Sequence, residues 1–315
     1  MDSKIIKKLI LFLVIAIAFY AVILAFSDFQ LILESINQIH LEFFPYIFSL
    51  LAMQILLGGL KFHRLLHQLQ MSIPFRASIK IFLLGFAMSV TPGGGGTLIK
   101  SYILKKDYKK SISSTMPVIF IEKITDLLSI IVIMTILLIW TSFYEAIIIL
   151  GIGYGLFLFI MILISNNKIF LGFKNFISKI KLTKKFTANL EESKISIKTL
   201  LKSQNFLESL AYSIIIKFIQ LFIVFFVFLS LDINLELFLS GQIYYTSLLF
   251  GVLTFIPAGL VVTDSSMIGL LIRQNIELPS ATVSVLLIRL ITTWIPVGLG
   301  LIMFKFLLNE KTIKE

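Results

Sequence analysis

Charged residues inside apolar segments are the first candidates for chemistry in this chain. Glu122, Lys123 and Asp126 fall within one apolar run and Arg289 within another. Glu122 and Asp126 are four residues apart and share a helical face; Lys123 is three from Asp126. A charge at the centre of a bilayer costs roughly 3 kcal/mol on insertion scales, so such side chains face a protein interior or an aqueous path. Arg289 is the natural partner for the two acids. Two readings stay open: a charged site that binds a polar head group, and an interhelical ion pair that locks the bundle.

Two Pro-Gly breaks carry the next candidates. The first runs Pro92, Gly93, Gly94, Gly95, Gly96 into Thr97 and Lys100. Four glycines let the backbone turn tightly and bare its N–H groups, and the following short helix points its positive end at the same spot. That combination suits a phosphate, with Lys100 adding a direct charge; glycines that only permit tight packing are the alternative. The second break is Pro257, Ala258, Gly259, Leu260, followed by Asp264. An acid there suits a cation, a proton or a head-group amine, or else caps a short helix starting near Ser265. Gly94 with Lys100-Ser101 misses a nucleotide P-loop, because Ile99 stands where that motif needs Gly. His63 and His67 have a metal-compatible spacing but no acid or Cys nearby in sequence, and read as interfacial. Lys217 reads as snorkelling or paired with an acid. No Ser-His-Asp set, paired-carboxylate site or metal signature is visible, so neither enzyme activity nor a cofactor is expected.

The elements that must hold these residues are membrane helices. The chain has 315 residues, 58% hydrophobic and 14% charged, with no Cys; its mean hydropathy is +0.99. Six segments are long enough to cross about 30 Å of hydrocarbon: Leu9–Phe26, Phe43–Leu60, Pro117–Trp140, Tyr144–Ile164, Leu210–Ser230 and Ser280–Leu308. The first is expected to be a retained anchor rather than a cleaved leader. The stretches ending at the two Pro-Gly breaks, with the short apolar pieces after them, are too short to span. They read as re-entrant hairpins, because freed backbone groups are tolerated at membrane depth only inside protein or beside water.

With the N-terminus cytoplasmic, every basic residue but Arg273 and the intramembrane Lys123, Lys217 and Arg289 falls on the cytoplasmic side, as the positive-inside rule requires. Lys61, Arg64, Arg76 and Lys80 belong to one such segment. The net charge of +11 is thereby accounted for without nucleic acid. Each half reads span, span, hairpin, span. The expected fold is an all-α polytopic membrane protein of six spans and two hairpins in an inverted-topology repeat. It forms a single membrane domain, with repeats at about 1–140 and 144–308. A basic cytoplasmic loop, 165–209, falls within the second repeat; Leu182, Phe186, Leu190, Ile197 and Leu201 are spaced for one face of an interfacial helix, the alternative being a solvated connector.

The segments TPGGGGTLIKSYILKK and FIEKITDLL in the first half, and FIPAGLVVTDSSMIGLL and LLIRLITTW in the second, resemble the two signatures of the lysylphosphatidylglycerol synthase transmembrane-region family. This family is also called the flippase-like domain family, and the resemblance covers essentially the whole chain. Glu122, Lys123, Asp126 and Arg289 fit its pattern. Thr97 stands at a usual Glu, Lys100 at a usual Arg, Ala258 and Val261 at common glycines, and Asp264 at a usual Glu. The resemblance implies movement of a charged or glycosylated lipid between leaflets of a prokaryotic cell membrane. It also implies that a chain without the aminoacyltransferase domain does not make aminoacylated lipid.

The expected function is that of a lipid flippase or transporter acting on an anionic phospholipid or a polyprenyl-phosphate glycolipid. Pro92–Gly96, Thr97, Lys100, Pro257, Gly259 and Asp264 would hold the phosphate at the two tips, with Glu122, Lys123, Asp126 and Arg289 as charged lining. The rivals are a non-transporting scaffold for a lipid-modifying or glycosyltransferase partner and an intramembrane transferase.

Overall fold

The structure, a computed structural model, describes residues 39–87, 89, 99–141, 143–165, 190–254, 259 and 261–312, with Glu34, Ile36 and Asn37. A short turn at Leu41–Phe43 leads into α1 (Phe44–Gln68). Then follow α2 (Phe75–Ala87), α3 (Ile99–Tyr108), α4 (Ile112–Trp140), α5 (Glu145–Ser165), α6 (Leu190–Leu200) and α7 (Ser203–Leu229). The rest comprises α8 (Leu237–Leu253), α9 (Val262–Arg273), α10 (Leu278–Arg289), a π-turn at Leu290–Trp294 and α11 (Ile295–Thr312).

Among the described residues, five stretches are long and apolar enough to cross a membrane: Leu41–Gln68, Ile112–Trp140, Ala146–Leu163, Ser203–Leu229 and Leu278–Phe306. The chain is an all-α polytopic membrane protein. The sixth expected span, Leu9–Phe26, lies outside the described residues, as do both Pro-Gly tips apart from Gly259.

The helices flanking the breaks are short. At 1.5 Å per residue, α2 rises about 20 Å, α3 about 15 Å and α9 about 18 Å, all less than the hydrocarbon thickness. α2 packs on α3, and α8 on α9. Three spans, α4, α5 and α7, lie between the two broken units in chain order.

Packing in the two halves corresponds in part, since the close α4·α7 contact has no equally close counterpart between α1 and α10–α11. Exchange α1 with α7, α2 with α8, α3 with α9, and α4 with α10–α11. The contacts α1·α2, α2·α3, α3·α4, α1·α4 and α2·α11 then become α7·α8, α8·α9, α9·α10, α7·α10 and α8·α4, all of which occur, while α1·α7 maps onto itself. Two apolar clusters fill the bundle. One runs through Leu51, Leu127, Ile130, Val224 and Tyr245; the other gathers Phe62, Leu65, Phe82, Ile103, Val118 and Ile121. On α4 the second cluster reaches Ile124 and the first begins at Leu127; Asp126 stands between them and Glu122 one turn earlier.

Three boundaries differ from the sequence expectation. α1 does not stop at Leu60 but continues to Gln68, which makes Lys61 a helix-interior residue only 2% exposed; hydropathy ends a span at a charge even where that charge turns inward. α4 begins at Ile112, five residues before Pro117, capped by the Ser111 hydroxyl accepting from the Ser114 N–H. Pro117 is therefore interior, and its missing N–H strips the Ser113 carbonyl of its helical partner. Ser193 of α6 donates to that carbonyl at 2.7 Å, so a proline defect becomes the tether that holds α6 on the bundle. The last span is interrupted by the π-turn directly after Arg289, an insertion often found at functional sites.

One close approach fixes the α2–α11 pair. A Cβ on Gly300 would sit 2.7 Å from the Leu83 carbonyl oxygen and 3.1 Å from the Ala87 Cα, both backbone atoms, whereas a Cβ on Gly298 would meet nothing. Gly300→Ala is expected to destabilise the protein by about 1–3 kcal/mol, read as a lowered Tm in detergent. Gly298→Ala should be neutral or slightly stabilising, since Ala is the better helix former. Equal Tm values for the two variants would refute the tight packing of α2 on α11.

Candidate functional site

α1, α2, α3, α4 and α7 converge with the start of α11 on a partly enclosed cavity of about 160 Å³. Its polar wall holds Lys61, Lys100, Glu122, Lys123, Asp126 and Lys217; Leu51, Ile55, Phe86 and Ile216 contribute apolar wall. Asp126 is the midpoint of the 29-residue α4, and Lys217 is one residue past the midpoint of the 27-residue α7. The cavity thus sits at mid-span in a mainly apolar bundle.

Two ion pairs organise it. Lys61 Nζ donates to Asp126 Oδ1 at 2.8 Å, to Ser213 Oγ at 2.6 Å and to the Glu122 carbonyl at 3.2 Å. Ser213 in turn donates to Asp126 Oδ1 at 3.1 Å. All three donor positions of the ammonium are used, which lets a lysine sit buried. Lys100 Nζ reaches both carboxylate oxygens of Glu122, at 3.0 and 2.9 Å. It also lies 4.8 Å from the Phe62 ring centre and 4.7 Å from that of Phe82, a cation–π setting. Gly85 makes room for it, because a Cβ there would collide with the Lys100 stem.

Lys123 and Lys217 complete the wall and form no ion pair among the described residues. Beside the cavity a hydrogen-bond string runs from Gln54, whose Nε2 donates to Gln220 Oε1 at 3.3 Å, through Gln220 Nε2, which donates to Tyr244 Oη at 2.6 Å.

The second charged constellation is separate. Asp264, fully buried in the first turn of α9, pairs with Arg289 Nε. The Arg289 guanidinium also donates to the Gly259 carbonyl at 3.4 Å. The sequence expectation that Arg289 partners the α4 acids is corrected here. Lys61 and Lys100 lie closer to those acids, and Arg289 is drawn to the acid of its own half. Asp264 does not cap a helix at Ser265, since α9 begins at Val262 and no side-chain cap closes it. The two buried pairs stand at corresponding places with reversed polarity. In the first half the base is on the short helix and the acid on the span; in the second half the acid is on the short helix and the base on the span.

Of the expected site residues, the structure brings Lys100, Glu122, Lys123 and Asp126 to one cavity and places Gly259, Asp264 and Arg289 together elsewhere. Pro92, Gly93, Gly94, Gly95, Gly96, Thr97 and Pro257 lie outside the described residues. Sequence reasoning missed Lys61 and Ser213 and gave Lys217 no role. The signal for Lys61 was available, since it falls between Gly58 and Leu65 on the buried face of α1. His63 meets Ser78 Oγ at 3.0 Å and packs edge-on against Phe75.

Comparison with known proteins bears on the whole arrangement. A UPF0104 membrane protein of Methanocaldococcus jannaschii is 31% identical over 237 residues, covering 73% of this chain and 97% of the relative. A UPF0104 membrane protein of Pyrococcus horikoshii is 22% identical over 321 residues, covering 93% and 95%. A family model described as the lysylphosphatidylglycerol synthase TM region matches residues 12–300. That match takes in both broken units, the three ion pairs just described and every cavity residue, and the chain belongs to the lysylphosphatidylglycerol synthase transmembrane-region family.

Proposed function

We propose that this chain is a lipid transporter of the flippase type, which passes a lipid with an anionic head group between leaflets and performs no covalent chemistry. The observation that carries the reading is the mid-span cavity, where four lysines face two carboxylates. A surplus of positive charge inside a membrane bundle is costly unless an anion visits it. Apolar wall beside the lysines gives the head group a dry side, while the lipid tails stay in the bilayer. The broken helices add support, since transporters of inverted-repeat design place substrate beside interrupted helices near the midplane. Family membership agrees with a membrane role of this kind. The protein would act in the cell membrane, with both termini cytoplasmic and an anionic phospholipid or polyprenyl-phosphate lipid as its partner.

Proteoliposome scrambling tests the proposal, with labelled anionic phospholipid in one preparation and a labelled polyprenyl-phosphate sugar in another. Lys123→Gln and Lys217→Gln are each expected to slow movement about tenfold or more, the kinetic effect of losing about 1.4 kcal/mol of charge stabilisation. Their Tm in detergent should match the wild type, because neither lysine holds an ion pair among the described residues. Well-folded wild-type protein that moves neither lipid would defeat the transporter reading. A scaffold for a partner enzyme would then take its place, with the exposed Lys194, Ile195 and Lys198 of α6 as the docking surface to cross-link.

A further inference from the structure

Resting on that transport reading and deepening it, we infer that the head group taken by the central cavity is a phosphomonoester: a terminal, doubly charged phosphate on a lipid. A phosphodiester or a sugar-bearing phosphate fits less well.

Charge makes the first argument. Lys61 with Asp126 and Lys100 with Glu122 are neutral as pairs. Lys123 and Lys217 remain, so the described wall carries two positive charges in excess. The glycine-rich stretch 91–98, which joins α2 to α3, contains neither acid nor base, so it changes nothing in that balance. A phosphomonoester carries about −1.5 to −2 at neutral pH, with its second pKa near 6. It closes the balance. A phosphodiester carries a single charge and leaves one of the two lysines without a counter-charge.

Donor geometry agrees. Lysine presents a compact ammonium with rotatable donors rather than the planar fork of arginine, which is matched to a pair of oxygens. Ammonium groups from α4 and α7 approach from two helices, which suits an anion with three terminal oxygens better than one with two.

The test uses the purified full chain in detergent with four probes: dioleoyl phosphatidic acid, farnesyl monophosphate, dioleoyl phosphatidylglycerol and inorganic phosphate. Binding is read by ligand-dependent thermal shift. At pH 7.5 both lipid monoesters are expected to bind at least about tenfold more tightly than the diester, the effect of one extra charge facing a second lysine. At pH 5.5, below the second phosphate pKa of about 6, that preference should shrink several-fold. Lys217→Gln and Lys123→Gln should each erase most of it while leaving the ligand-free Tm unchanged. Equal affinity for monoester and diester at pH 7.5 would overturn the head-group assignment, and liposome scrambling could still uphold transport. Inorganic phosphate binding as tightly as the lipids would overturn it too, by making the ligand a soluble anion. Monoester-selective binding without lipid movement would sink the transport reading and leave the head-group assignment standing.

Discussion

Replacing Lys100 by Met is expected to destabilise the protein by about 3–5 kcal/mol, the usual result of stranding one member of a buried ion pair. The pair is well enclosed: the side chains of Lys100 and Glu122 are 5% and 9% exposed. Without Lys100, the buried Glu122 carboxylate loses its ammonium partner. Glu122→Leu should cost a similar amount, since it strands the ammonium instead. The double variant, Lys100→Met with Glu122→Leu, should recover to within about 1–2 kcal/mol of wild type, because two apolar groups of similar volume replace two compensating charges. Reversible unfolding in mixed micelles, arranged as a double-mutant cycle, reads the coupling directly. Additive losses would show that the two side chains do not depend on each other, contrary to the geometry. The double variant also separates two roles that remained open on sequence grounds. If it folds and still moves lipid at the wild-type rate, the pair is a lock; if it folds and transports nothing, the pair belongs to the path.

How much of this was readable in the sequence divides along a physical line. The five described spans follow from apolar length alone, because a bilayer of fixed thickness demands it, and the α4 acids announced themselves as charges in the wrong solvent. Pairing was not readable. Lys61 reads as a residue beyond the end of a span, since hydropathy weighs the side chain and ignores which way it points. Its burial depends on Asp126 and Ser213, which are 65 and 152 residues from it. Arg289 was rightly seen as intramembrane and assigned to the wrong acids, because spacing within one helix says nothing of a neighbour in another. Pro117 misled in the same way. Proline is common in a first turn, but here a hydroxyl on α6 satisfies the carbonyl it strands, and only the folded chain supplies that hydroxyl.

The second pair offers the sharper test of how the halves relate. Asp264 is fully buried, so Arg289→Ala is expected to cost about 3–5 kcal/mol and to confound any assay that treats loss of activity as loss of a substrate contact. Arg289→Lys should rescue only part of this. Lysine keeps the charge but lacks the fork that reaches Asp264 with one nitrogen and the Gly259 carbonyl with another. If the two halves are equivalent in mechanics, the polarity of this pair is arbitrary, because the first half already runs the same contact with acid and base exchanged. Asp264→Lys combined with Arg289→Glu would give the second half the residue order of the first. It is expected to restore most of the stability lost by either single change, measured as Tm in detergent and as the coupling energy of the cycle. Recovery would mean that each broken unit needs only a neutral buried clasp to its span. Failure of the swap, with Arg289→Lys partly active, would mean that the carbonyl of Gly259 at the break demands a cation at that place. The second half would then hold its tip by a contact that the described residues of the first half do not show.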